Sequence, residues 1–141
     1  MPRVTTVEDL IVLHEGERLH PYTDTVGKIT IGVGRNLTDV GISRRESREL
    51  LRRDLDHAEA DVDRTWSWAA DLDSVRRAVL VDMMFNLGAP RLRRFVKTMR
   101  ALAVGDYADA AVQMLDSRWA EQVGDRALRL AEMMRSGEWP G

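Results

Sequence analysis

Residues 43–64, SRRESRELLRRDLDHAEADVDR, constrain the fold more than any other stretch. They open on Ser43-Arg44-Arg45-Glu46, a capping box in which the Ser hydroxyl and the Glu carboxylate each accept a backbone N–H of the helix start. Its apolar stripe is Leu50, Leu51, Leu55, Ala58 and Val62, and the rest is mostly Arg, Asp and Glu. A helix with so narrow an apolar stripe stays wet on most sides. The chain before it and the chain after it are therefore expected to form two lobes, with this helix as the bridge.

Ahead of the bridge, Val7, Leu10, Ile11 and His14 recur at helical spacing. Thr5-Thr6-Val7-Glu8 offers them a capping box, which predicts a helix over 6–14 with Glu15 at its end. Residues 17–38 read as a small antiparallel sheet, Pro21 and Gly27 marking turns. In Lys28 to Gly34, Ile29, Ile31 and Val33 alternate with Thr30 and the glycines. That period of two predicts a strand, with Thr30 opposite the isoleucines and away from the apolar packing. Beyond the bridge the periodicity predicts only helices: about 73–87, one or two short ones over 91–104, then 107–116, 117–124 and 125–136. Gly88, Gly105 and Gly137 would end helices and Asp106 would cap one. The expected class is α+β: a mainly helical fold, with a small antiparallel sheet lobe joined by a long helix to a helical lobe.

At 141 residues the chain is long enough for one compact domain with a real core. A formal charge of −2 provides no global field for nucleic acid or anionic membrane. There is no Cys, hence no disulfide and no thiolate chemistry. The N-terminus lacks the apolar core of a signal peptide, and no apolar run approaches the ~20 residues of a membrane span. His14, His20 and His57 have no metal-ligand spacing. Trp66, Trp68 and Trp119 read as packing residues. Arg91, Arg93, Arg94, Lys97 and Arg100 form a basic run without an acid inside it; such a run is usually a solvated face, and it could also touch an anionic wall polymer or nucleic acid.

The chemistry gathers within sixteen residues: Glu15 at a helix end, Asp24 in a turn-rich loop and Thr30 on the following strand. Two carboxylates and a hydroxyl converging in this way suit acid/base work on an oxygen leaving group. Glu15 makes a poor structural carboxylate, because the macrodipole disfavours negative charge at a helix C-terminus. Asp24 and Thr30, each taken alone, would be an ordinary turn residue and an ordinary strand residue.

With its surroundings, this stretch resembles the phage-type lysozymes, the T4-lysozyme-like muramidases of glycoside hydrolase family 24. The resemblance rests on Glu15-Gly16, Tyr22-Thr23-Asp24-Thr25-Val26-Gly27 and Thr30-Ile31-Gly32-Val33-Gly34. It continues through Met84-Phe85-Asn86-Leu87-Gly88, Ala110-Ala111-Val112-Gln113, Ser117-Arg118-Trp119 and Gly124-Asp125-Arg126-Ala127, covering roughly residues 7–139.

The resemblance implies a single lysozyme domain over 1–141. Its sheet lobe would be 15–42, its bridging helix 43–64 and its helical lobe 65–141, with 1–14 packed on the helical lobe. It implies hydrolysis of the β-1,4 bond between N-acetylmuramic acid and N-acetylglucosamine in bacterial peptidoglycan, with inversion. Glu15 would be the general acid, Asp24 the base for water, and Thr30 the residue that positions the water. Inversion leaves about 6.5–9.5 Å between the carboxyls so that water fits. Tyr22, Asn36, Phe85, Thr98, Gln113 and Arg126 would bind substrate along a cleft. By motif position Arg126 should also lie near Glu15. A nearby cation favours the ionised carboxylate, whereas an acid catalyst must hold its proton; burial or bound substrate would have to offset it. An Arg35–Asp54 ion pair would tie the sheet to the bridge. No cofactor and no metal is implied. The chain would be a monomeric endolysin without a nucleic-acid partner, held in the host bacterial cytoplasm until a holin opens the way to the wall.

Two other readings stay open from sequence: a sugar-binding or structural domain of this fold without turnover, and a helical nucleic-acid module using the Arg91–Arg100 run. A wall-turbidity assay tests the first and a salt titration against DNA the second.

Overall fold

The computed structural model describes residues 3–141. The chain divides into two compact units, residues up to Leu50 and residues Leu51–Gly141. Among the described residues, no helix is long and apolar enough to cross a membrane.

The first unit starts with α1, Val7–Glu15. Its cap is Thr6, not the expected Thr5. The Thr6 hydroxyl accepts the Asp9 N–H at 3.0 Å, and the Asp9 carboxylate accepts the Thr6 N–H at 3.1 Å. Asp9 also accepts the N–H and hydroxyl of Thr5, so this register leaves one carboxylate with three donors where Thr5–Glu8 would strand it. Those bonds, led by the Thr5 N–H, hold the Asp9 carboxyl below its usual range. No residue of α1 is buried.

A three-stranded antiparallel sheet follows: β1 (Arg18–Thr23), β2 (Ile29–Gly32) and β3 (Arg35–Asn36), in that spatial order. Tyr22 pairs with Thr30 and Thr30 with Asn36, so Thr30 lies on the central strand. The alternation in β2 is present but its faces are the reverse of the expected ones. Thr30 is 4% exposed and Ile29 is 51% exposed. The Thr30 hydroxyl donates to the Lys28 carbonyl at 3.0 Å, and a satisfied hydroxyl is cheap to bury.

The sheet is tied to the start of α2 (Arg44–Thr65). Ser43 and Glu46 form the expected capping box, with reciprocal bonds of 3.1 and 3.0 Å. Arg35 donates to Glu46 at 3.0 Å and to the Gly41 carbonyl at 3.3 Å. The partner expected for Arg35 was Asp54, two turns further along. Glu46 takes it because the capping box has already turned that carboxylate back toward the sheet. The Ser43 N–H and then the Arg35 guanidinium hold the Glu46 carboxyl below the usual glutamate range.

The second unit is all helical. A short 3-10 turn over Ser67–Asp71 leads into α3 (Ser74–Leu87), α4 (Ala89–Leu92), α5 (Val96–Ala103), α6 (Tyr107–Leu115), α7 (Arg118–Val123) and α8 (Asp125–Ser136). Asp73, Asp106 and Ser117 cap α3, α6 and α7 through their side chains, as their types favour. Every buried apolar residue among those described lies at Ala58 or beyond. Met83, Met84, Met99, Met114, Met133 and Met134 are all in this cluster, with Leu80, Leu92 and Trp119. Phe95 meets the Trp119 ring edge-on with centroids 6.0 Å apart.

Arg76 locks the last helix to this core. Its guanidinium donates to the carbonyls of Met134 and Arg135 at 2.7 and 2.9 Å and lies 3.8 Å over the Tyr107 ring. Carbonyls at a helix C-terminus lack intrahelical donors, so one side chain satisfies the end of α8 while holding α3 and α6 to it. Arg76→Met should therefore lower stability by roughly 2–3 kcal/mol, the scale of lost charged hydrogen bonds. Arg135→Met, which removes only an exposed pair with Glu132, should leave stability unchanged. Urea unfolding of the two variants checks this, and equal midpoints would contradict it.

Candidate active site

Glu15 is the last residue of α1 and is exposed. The helix stops there because Gly16 takes φ 73°, and the Gly16 N–H closes back on the Val12 carbonyl at 2.8 Å. The Glu15 side chain lies against the β2–β3 turn. A Cβ placed on Gly34, itself at φ 67°, would be 3.0 Å from Oε2 and 3.3 Å from Cδ of Glu15. Gly34 thus leaves the space that the carboxyl occupies.

Asp24 follows β1. Its Oδ1 accepts the N–H groups of Val26 at 2.9 Å and Lys28 at 2.8 Å. This is the turn chemistry for which Asp is suited, and it fixes the carboxylate against its own loop. The Asp24 N–H donates to the Lys28 carbonyl at 2.9 Å, the same carbonyl that receives the Thr30 hydroxyl. Asp24 and Thr30 are therefore joined through one backbone oxygen. Since the Thr30 proton is engaged there, what its Oγ1 can offer a ligand is a lone pair.

Tyr22 is half-buried beside Thr30 in the sheet register, with the Arg18 guanidinium 4.4 Å over its ring. Asn36 spends its side chain locally: Oδ1 accepts the Asp39 N–H and Nδ2 donates to the Asp39 carboxylate, both at 3.0 Å. Asn36 is thus a turn-forming residue as well as a candidate contact.

In the second unit, Phe85 is 45% exposed and lines two cavities of about 630 and 280 Å³. Thr98 and Gln113 share a third, of about 610 Å³. Arg126 is bound to Asp82, with Nε and Nη2 both reaching Oδ1 at 3.0 and 2.8 Å. Sequence reading missed Asp82: an acid on a helix face shows no partner until the fold brings one, here from 44 residues away. It also missed the Lys28 carbonyl, which no side-chain pattern signals. Trp119 Nε1 donates to Asn86 Oδ1 at 2.8 Å, so the indole is a packing residue with its polar edge satisfied.

Residues 12–135 match the family described as phage lysozyme. Among curated proteins, the chain is 26% identical to probable T4-type lysozyme 2 of Dictyostelium discoideum over 95% of its own length and 96% of that protein's. It is 24% identical to probable T4-type lysozyme 1 of the same organism with the same coverage. It is also 25% identical to the pre-baseplate central spike protein Gp5 of Enterobacteria phage T4, over 94% of this chain and 28% of that one.

Gly34 generates a local test. Gly34→Ala should cost roughly 1–3 kcal/mol from the left-handed backbone and should displace the Glu15 carboxyl. Gly32→Ala, at φ 68° with nothing within 4 Å of the added carbon, carries the backbone strain alone. Carboxyl carbon NMR of Glu15 should shift in the first variant and stay in place in the second. The same Glu15 shift in both would mean that Gly34 does not shape the site.

Proposed function

From the premise that the chain belongs to the phage lysozyme family, and is a peptidoglycan-hydrolysing muramidase, we propose that Glu15, Asp24 and Thr30 carry its chemistry. Glu15 protonates the leaving glycosidic oxygen. Asp24 takes a proton from a water on the opposite face of the sugar, and Thr30 holds that water. Hydrolysis then proceeds in one displacement with inversion, as it does when a water stands between base and sugar. No metal or cofactor takes part in this scheme.

The observation that supports these roles is the shared Lys28 carbonyl. It sets the Asp24 backbone and the Thr30 hydroxyl relative to each other before substrate arrives. Both backbone donors to the Asp24 carboxylate fall on Oδ1, which leaves Oδ2 to meet water. The water can direct one proton to Oδ2 and the other to the Thr30 lone pair, and its own lone pair then faces the anomeric carbon. A nucleophile held at two points reacts with little further ordering, which is how positioning lowers a barrier.

Phe85, Thr98, Gln113 and Arg126, with Tyr22 and Asn36 of the sheet, are the proposed sugar contacts. The side-chain amide of Asn36 is already committed to Asp39, so it contributes by shaping the β3 turn.

Glu15→Gln should abolish lysis of purified walls with little change in unfolding midpoint, since shape is kept and only the donated proton is lost. Thr30→Val should lower turnover on the order of ten- to a thousandfold through a misplaced water. It should also cost about 1 kcal/mol, because the Lys28 carbonyl loses a donor. Early-time NMR of wild-type products should show the α-anomer first. A β-anomer as first product, or either variant at full activity, would overturn the assignment.

The physiological role proposed is that of a monomeric endolysin that waits in the host cytoplasm and reaches the wall only after a holin breaches the membrane. The family match over residues 12–135 is what supports this role. Expression alone should leave cells standing, and co-expression with a membrane-permeabilising protein should lyse them. Prompt lysis without that partner would refute the role.

A further inference from the structure

The peptide group between Lys28 and Ile29 is held at both ends. Its carbonyl accepts the Asp24 N–H at 2.9 Å and the Thr30 hydroxyl at 3.0 Å. Its N–H, on Ile29, donates to the Thr38 hydroxyl oxygen at 2.9 Å. A peptide group is planar and stiff. Whatever fixes the direction of the N–H therefore fixes the direction of the carbonyl, and with it the oxygen on which Asp24 and Thr30 meet.

Strand pairing shows why a side chain has this task. Thr30 lies opposite Asn36 and Ile31 opposite Arg35, so the next pair along is Ile29 with Leu37. In an antiparallel ladder the two residues of a hydrogen-bonded pair exchange two bonds. Here the backbone makes one of them, from the Leu37 N–H to the Ile29 carbonyl at 2.8 Å. The Leu37 carbonyl, the expected acceptor of the other, takes the Gly41 N–H at 3.1 Å instead. The chain is already turning at that point, and the Thr38 hydroxyl replaces the lost acceptor. The turn is itself braced. Asn36 and Asp39 exchange two bonds of 3.0 Å, and the Lys28 ammonium reaches the other oxygen of the Asp39 carboxylate at 3.2 Å. One turn therefore grips Lys28 by its peptide and by its side chain.

We propose that Thr38 is a positioning residue for hydrolysis, setting the plane of the Lys28–Ile29 peptide and through it the Asp24–Thr30 pair that holds the attacking water. The proposal rests on the roles given above to Asp24 and Thr30 and goes beyond them, since Thr38 makes no hydrogen bond to either side chain among the described residues. An acceptor on the N–H also polarises the carbonyl of the same peptide, because linked hydrogen bonds reinforce one another. The Lys28 oxygen is the stronger acceptor for it, and the Thr30 proton stays engaged while its lone pair faces water. Thr38 is exposed, so replacing it opens no hole in a core.

The test is steady-state kinetics of the full-length protein on a soluble peptidoglycan oligomer. Thr38→Val should lower kcat on the order of tenfold, as a misplaced reactant does, with KM unchanged. Thr38→Ala, which removes the same oxygen with less bulk, should repeat the loss, and Thr38→Ser, which keeps the oxygen, should restore most of the rate. Asp106→Ala removes the cap of α6; it should lower the unfolding midpoint and leave kcat alone, which separates lost stability from lost positioning. Residues acting through one contact are not additive, so Thr38→Val should cost little in a Thr30→Val protein. By NMR, the Lys28 carbonyl carbon and the Ile29 amide nitrogen should shift in Thr38→Val while the Glu15 carboxyl stays in place. An unchanged kcat, a loss carried by KM, an equal loss in Thr38→Ser or Asp106→Ala, full additivity with Thr30→Val, or an unmoved Lys28 carbonyl would each overturn the proposal. Full activity of Thr30→Val would overturn the roles of Asp24 and Thr30 and this proposal with them. An impaired Thr30→Val beside an unimpaired Thr38→Val would overturn this proposal alone.

Discussion

The described residues form one buried apolar cluster, and it begins at Ala58. Thr30 is the single buried residue described before that point, so the unit that carries Glu15, Asp24 and Thr30 has to be ordered by other means. Polar closures over short sequence distances supply that order: Thr6 with Asp9, Asp24 with the amides of Val26 and Lys28, Asn36 with Asp39, and Ser43 with Glu46. Lys28 and Arg35 reach further, to Asp39 and Glu46, in each case 11 residues on. Regions with few buried apolar contacts and many exposed hydrogen bonds are the ones that open locally. A loop built this way keeps its local geometry through its own turns rather than through packing.

The helical unit shows the complementary arrangement. Its apolar interior fixes the helices, and arginines finish the ends that packing leaves open. Arg76 caps α8, and Arg77 reaches Asp63 of α2 through two parallel bonds of 2.8 and 3.0 Å. That bond pulls the Asp63 carboxyl below its usual range. The planar guanidinium serves both tasks because it presents several donors in a fixed fork. Arg76, Arg77, Arg126 and Arg135 pair in this way with acids or carbonyls, whereas Arg100 and Arg129, also on helices, take part in no ion pair among the described residues.

Much of this was legible in the sequence because local chemistry decides it. The Ser43–Glu46 box, the Asp106 cap, the Gly137 stop and the limits of α8 all appear where residue types placed them. The family resemblance led to the fold and the enzyme class. What stayed hidden depends on contacts between distant residues. Period two in β2 indicates that Thr30 and Ile29 face opposite ways, but not which way is inside. The Lys28 carbonyl decides that, by making Thr30 safe to bury. Thr5 and Thr6 are indistinguishable as caps until the reach of Asp9 is known. Arg35 had two acids of one helix to choose between, and Arg126 found Asp82, which no motif marks.

Six thioethers share the interior with a handful of branched residues. Methionine is unbranched and polarisable, and it fills gaps of many shapes at little cost. An interior made this way has more than one acceptable arrangement of its atoms. A neighbour that gains or loses a methyl group can be absorbed by torsional adjustment, where a core of Val and Ile would leave a void or a clash. The same sulfurs are its chemical weakness, since each oxidation would set a polar S=O group in a place with no donor to receive it. The fold is therefore forgiving of inherited change and unforgiving of oxidants that reach it while it is open.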